Sequence, residues 1–210
     1  MKIRQFIDQS QVTEFRSQLA SIREGFGART IDAMKADPTY GVAGNTLRAM
    51  RGGRNTPSAA YQAWAKKLTD SIVESQPIAE TSNRHKFEAW HEQQCEALGK
   101  SWKRSRRHAI SYAHTRKLVD LYVKWLMQFK FSNQAFHRQL NRHAFCALDR
   151  QSIEKINKCY GHCMPIKNPS MGHVHNANTY RFCQTLIEEF CREAGGTRLE
   201  FDHWAWRLGG

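Results

Sequence analysis

Lys117 and Asp149 are the residues of this chain whose types and settings best suit covalent chemistry. Lys117 stands where an apolar helical stripe begins. Partial burial beside the like charges of Arg116 and Lys124 would favour a neutral amine, and a neutral amine is a nucleophile toward electrophilic carbon. The plainer reading is a lysine that lays its stem along the helix and keeps its head in water. Asp149 comes just before a helical run that starts near Gln151. The free amides and dipole of a helix N-terminus would hold its carboxylate ionised, and an ionised carboxylate stabilises a cation nearby. The same position suits a simple N-cap.

Metal chemistry has its own candidates. Cys159, His162, Cys163, His173 and His175 fall within 17 positions and are all potential zinc ligands. Their spacing fits no standard ligand pattern, Cys183 and Cys191 do not complete a cluster-binding series, and the expectation is no bound metal. The His-x-Glu and Cys-x-x-Cys pair of a zinc deaminase is missing, as is a phosphate-binding Walker loop. The sequence thus calls for no cofactor.

The elements that must carry these residues read as helices throughout, so the expected fold class is all-α. Leu118, Leu121, Tyr122, Trp125, Leu126 and Phe129 recur at helical spacing and mark a buried spine. The charge-rich stretch containing it is expected to be helical from about Ser101 to Lys130, with Lys117 opening the spine within it. Further helices are expected at Ser58–Val73, at Arg84–Lys100 with Gly99 as a stop, from Ile153 to Tyr160, and over Tyr180–Ala194 with a cap at Gly195-Gly196. The aromatic tail Leu199–Trp206 has the character of a short docking helix. Residues 1–80 are less regular and are expected to form a helical and loop region packed on a core of 81–210. They join helical pieces through glycine-rich turns, where Arg48, Arg51 and Arg54 could present guanidinium groups to phosphate.

Thirty-two Lys and Arg against 19 Asp and Glu leave a net charge of +13, which suits a polyanion better than a neutral metabolite. Residues 100–130 concentrate nine of these cations beside a single acid, Asp120. Arg104, Arg106, Arg107, His114, Arg116 and Lys124 are therefore the expected DNA-contacting residues. No apolar run reaches membrane-spanning length and the six cysteines form no disulfide framework, so the expectation is a cytoplasmic monomer with no membrane partner.

The segment Ser111-Tyr112-Ala113-His114-Thr115-Arg116-Lys117-Leu118-Val119-Asp120, with Ala147-Leu148-Asp149-Arg150-Gln151-Ser152 downstream, resembles the helix-hairpin-helix DNA glycosylase superfamily. It is closest to the branch around the archaeal 8-oxoguanine DNA glycosylases, whose long lysine-to-aspartate spacing is similar to the 32 residues here. The resemblance covers roughly residues 85–160 and the last 25. It implies a helical fold, with two lobes flanking a DNA cleft, and Lys117 and Asp149 as catalytic residues. Asp202 and Trp206, four positions apart, would form the pocket for a flipped base. The implied partner is double-stranded DNA holding a damaged or modified base, either an oxidised purine or a hypermodified phage base, and the implied activity is base excision with or without strand cleavage. Family hairpins carry glycines where Tyr112–Arg116 has none. That departure favours a second reading, a non-catalytic DNA-binding or phage-defence protein on the same scaffold.

Overall fold

A computed structural model describes residues 3–50, 54–162 and 168–207. Ten α-helices are defined among them: α1 (Gln9–Glu24), α2 (Ile31–Ala36), α3 (Pro57–Glu74), α4 (Ile78–Thr81), α5 (Arg84–Arg106), α6 (Tyr112–Leu126), α7 (Gln134–His143), α8 (Arg150–Cys159), α9 (Ala177–Ala194) and α10 (Arg198–Arg207). No strand occurs among the described residues; extended backbone pairs only at the isolated bridge between Arg29 and Phe129. The chain is all-helical, and no described helix is long and apolar enough to cross a membrane.

The helix starts are written in the sequence. Asp8, Thr30, Thr56, Asn83, Ser111, Asn133, Asp149 and Asn176 each accept a hydrogen bond from a first-turn amide, satisfying a donor that the helix leaves free. Pro57 follows Thr56 at the first helical position, where its missing N–H costs nothing. Gly195 ends α9 in the left-handed conformation, as its sequence setting predicts.

Two boundaries differ from expectation. The helix begun at Arg84 does not stop at Gly99 but continues to Arg106, because Trp102 and Arg106 face inward and their burial outweighs the weak helix propensity of one glycine. The basic stretch from Ser101 to Lys130 is therefore not one helix. It is the end of α5, a turn at Arg107–Ile110, and α6. Arg107 takes the left-handed conformation (φ 67°) at the C-cap of α5.

α6 is buried on most of its circumference, with Leu118, Val119, Tyr122, Val123, Trp125 and Leu126 all enclosed. Around it, α3 and α4 pack on α5, α5 on α6, and α1, α7, α8 and α9 on α10. One hydrophobic core draws residues from both sides of position 80, from Phe15 and Trp64 through Trp125 to Trp204.

Candidate active site

Ser111 caps α6, which places Lys117 in its second turn rather than its first. Behind that turn a buried network fixes the helix. Asp120 lies 2.7 Å from His91 Nε2 on α5 and accepts the Tyr180 hydroxyl of α9 at 2.9 Å. Burial pushes the Asp120 carboxyl up, against the pull of those two partners. With α6 locked on both flanks, the direction in which Lys117 points is set by packing.

Lys117 Nζ donates to Asp149 Oδ2 at 3.1 Å, and the two side chains keep only 10% and 7% of their surface in solvent. Asp149 caps α8 through its other oxygen, which accepts the Ser152 amide at 3.1 Å, while Ser152 Oγ accepts the Asp149 amide at 2.7 Å. The capping role and the ion-pairing role thus coexist, one per carboxylate oxygen. Trp206 of α10 is 42% exposed, and its ring centre lies 6.0 Å from Lys117 Nζ and 5.9 Å from Lys124 Nζ. An exposed aromatic ring beside a largely buried lysine–carboxylate pair can stack on a planar ligand while the edge of that pair reaches its substituents.

Asp202 shares the Trp206 face of α10, one turn earlier, but is fully buried. One of its oxygens pairs with Lys124 and the other accepts the Ala147 amide at 2.5 Å. It is not free to read a base edge: of the expected pocket pair, Trp206 alone is open. Its place in the fold ties the Cys146–Asp149 segment, and so the N-terminus of α8, to α6.

No family model, curated protein or solved structure matches this chain.

Among the expected DNA contacts, Arg104 and Arg107 are exposed at the end of α5 and form no ion pair with any described residue. His114 is part-buried near the start of α6, with Nδ1 2.7 Å from Ser111 Oγ; burial and then the Lys117 charge hold its imidazole below the usual histidine value. Two of the arginines are corrected. Arg106 is 1% exposed and donates to the carbonyls of Met50 and Asn55 while stacking on Trp102, so it ties those two residues to α5. Arg116 pairs with Glu92, lies 3.2 Å from His91 Nδ1 and stacks on Tyr112 and Tyr180, which makes it part of the inter-helix network. Lys124 is committed to Asp202, with 15% of its side chain exposed. Arg48 and Arg54 are exposed; Arg51 lies outside the described residues.

The zinc candidates do not converge among the described residues, where no metal-binding group forms. Cys163 lies outside them. Cys159 is enclosed within α8, where burial holds its thiol well above the ordinary value.

An open groove of about 280 Å³ continues outward from Lys124 and Trp206, walled on its far side by Ala43, Asn45 and Thr46 and at its end by Gln128. This wall comes from the N-terminal segment and was not foreseen. It reaches α6 because Gly41, at φ 80°, presses its backbone against Trp125: a Cβ there would lie 2.3 Å from Trp125 Cβ. The Tyr40-Gly41 turn was legible as a turn, but its contact across 84 positions was not.

Proposed function

We propose that the protein is a DNA glycosylase of helix-hairpin-helix type that excises a damaged or modified base from double-stranded DNA, with Lys117 as nucleophile and Asp149 as its partner. One observation carries this reading: the 3.1 Å contact of Lys117 and Asp149 beneath the exposed Trp206 ring. The order α5, short turn, capped α6, with α8 opening on an aspartate, supports this reading, and Arg104 and Arg107 flank the turn as free cations for phosphate.

In the proposed reaction a flipped nucleotide stacks on Trp206. The bond between sugar and base breaks, and the base leaves with the bonding pair. Asp149 stabilises the positive charge that develops on the sugar; the Lys117 ammonium gives a proton to the departing base, and the amine so freed bonds to the anomeric carbon. Collapse of that adduct to a Schiff base opens the sugar and permits elimination of the 3′ phosphate, so base release and strand cleavage share one intermediate. The groove beyond Trp206 is where substituents on an oxidised purine or a hypermodified base would lie.

Borohydride reduction on duplexes holding oxidised or naturally modified bases tests this. A covalent protein–DNA adduct is expected with the native chain and none with Lys117→Gln, while Asp149→Asn should bind DNA and release much less free base. An adduct that survives Lys117→Gln overturns the assignment. DNA binding with no base release from any duplex would instead support a non-catalytic protein on the same scaffold, the reading favoured by the lack of glycines in Tyr112–Arg116.

A further inference from the structure

A second groove lies away from Lys117. It holds about 570 Å³ between α3 and α5 and is closed at one end by Pro77 and Glu80. The two helices run antiparallel, since Asn55, just before α3, donates to the Ser105 carbonyl near the end of α5 at 3.0 Å. Each offers a long stripe to the groove. On α3 the row is Ala63, Lys67 and Ser71, continued by Ser75 at the C-cap, spaced by four; on α5 it is Gln93, Ala97 and Ser101, spaced the same way. Rows at this spacing are the ridges between which another helix seats. Five of these seven residues are alanine or serine, which let a backbone approach closely. The row on α3 spans twelve residues, about 18 Å at the helical rise of 1.5 Å per residue.

The floor is apolar, formed by Trp64, Leu68 and Trp90. Trp64 is 5% exposed, yet its indole N–H has no hydrogen-bond partner, and the amide oxygen of Gln76 at the groove's end has none either. Unpaired buried polar groups are uncommon in a finished fold, and here both line one groove. Charge is distributed unevenly along it. Lys67, Lys100 and Arg104 stand at the end near the C-terminus of α5, and Glu80 stands at the other.

We propose that this groove docks an amphipathic helix of a protein partner, its apolar stripe on Trp64, Leu68 and Trp90 and its acidic C-terminal end at Lys67, Lys100 and Arg104. The orientation follows from charge: a helix C-terminus carries partial negative charge, and acidic residues there add to it. A second copy of this chain is a poor occupant, because a protein of net charge +13 brings few acidic surfaces to a basic groove end. The recognition mode is that of a helix laid in a groove. It does not rest on the base-excision reading, with which it shares only Arg104.

The test uses the full chain and two labelled peptides about 16 residues long, long enough to span the groove at the helical rise. Both carry leucine at i, i+3, i+4 and i+7; one ends in glutamates and the other in lysines. Fluorescence anisotropy is expected to show the glutamate-ended peptide binding at least about tenfold tighter than the other. Ser71→Arg, a change at an exposed position, should abolish binding with unchanged circular dichroism. Lys67→Glu with Lys100→Glu should reverse the preference between the peptides. Failure of both peptides to bind, equal binding of the two, or binding that survives Ser71→Arg overturns the proposal. So do two other outcomes: decanoate binding in the groove without either peptide, which would make the occupant a small anionic amphiphile, and a dimer that Ser71→Arg dissociates in sedimentation, which would make it a second copy.

Discussion

Replacing Lys124 with methionine isolates one charge in the interior. The substitution keeps the apolar stem and removes the ammonium, leaving the Asp202 carboxylate at 0% exposure with a single neutral donor, the Ala147 amide at 2.5 Å. Removing one partner of a fully buried ion pair costs about 3–5 kcal/mol, because the remaining charge keeps its desolvation penalty and loses its compensation. Here 15% of the Lys124 side chain is exposed, so water reaches that edge, and the surviving amide bond offsets a further part. The expected loss is about 2–4 kcal/mol. Asp202→Asn should cost less, about 1–2 kcal/mol, since the asparagine oxygen still accepts the Ala147 N–H and the freed lysine turns to water. Urea unfolding of both variants and of the double variant measures the two costs and their coupling, with unchanged dependence on denaturant as the check on two-state behaviour. If Lys124→Met costs less than Asp202→Asn, the carboxylate does not depend on Lys124, and the structural role given to Asp202 fails.

Three further outcomes follow from the same geometry. Gly41→Ala should destabilise by about 2–4 kcal/mol, from a left-handed backbone and a Cβ driven into Trp125, and thermal unfolding with a shifted tryptophan emission would show it. Arg104→Ala and Arg107→Ala should each flatten the salt dependence of DNA binding by roughly one unit of slope, whereas Arg106→Met should lower stability by about 2–4 kcal/mol through its two orphaned carbonyls; equal salt effects from all three would return Arg106 to the DNA surface. Burial pushes the Asp37 carboxyl up, but hydrogen bonds from Thr39, Trp125 and Arg29 outweigh it and hold the group below its ordinary value. A carboxyl depressed in the folded state contributes stability above its unfolded value of about 3.9 and loses it as pH falls through the folded value. The stability gap between native chain and Asp37→Asn should therefore be flat at neutral pH and close in acid; a gap unchanged at acid pH contradicts the assigned cause.

The parts of this architecture that were legible in the sequence are those set by local rules. The stripe from Leu118 to Leu126, the cap at Asp149 and the left-handed stop at Gly195 depend on residues within a few positions of one another. Gly99 misled because helix propensity is a weak local preference, and two inward-facing side chains further along α5 overrode it. Charge misled in a different way. Arg106 and Arg116 count toward a basic surface in any composition, yet one caps a loop and the other bridges three helices, and only the long-range contacts distinguish them from Arg104 and Arg107. Asp202 shared its helix face with Trp206 as the spacing required, but the sequence does not say that the interior side of that face ends against Lys124 and the Ala147 amide. The wall formed by Ala43, Asn45 and Thr46 carries no periodic signal at all.

Two lysines, Lys117 and Lys124, stand two turns apart on α6 under the same indole ring, and each faces a carboxylate. Only one of these pairs suits the proposed chemistry. A carboxylate that stabilises a sugar cation must approach it, and Asp202 is sealed behind Lys124 and held by a main-chain amide. Asp149 retains some exposure at the open N-terminus of a helix, where the dipole favours its charge, and its cap uses one oxygen while the other faces Lys117. Lys124 is the more exposed amine, but it has no accessible carboxylate beside it. Peptide mapping of the borohydride adduct separates the two: the label is expected on Lys117 and should persist, in reduced yield, in Lys124→Gln. A label on Lys124 would make Lys117 and Asp149 the structural pair and reverse the assignment.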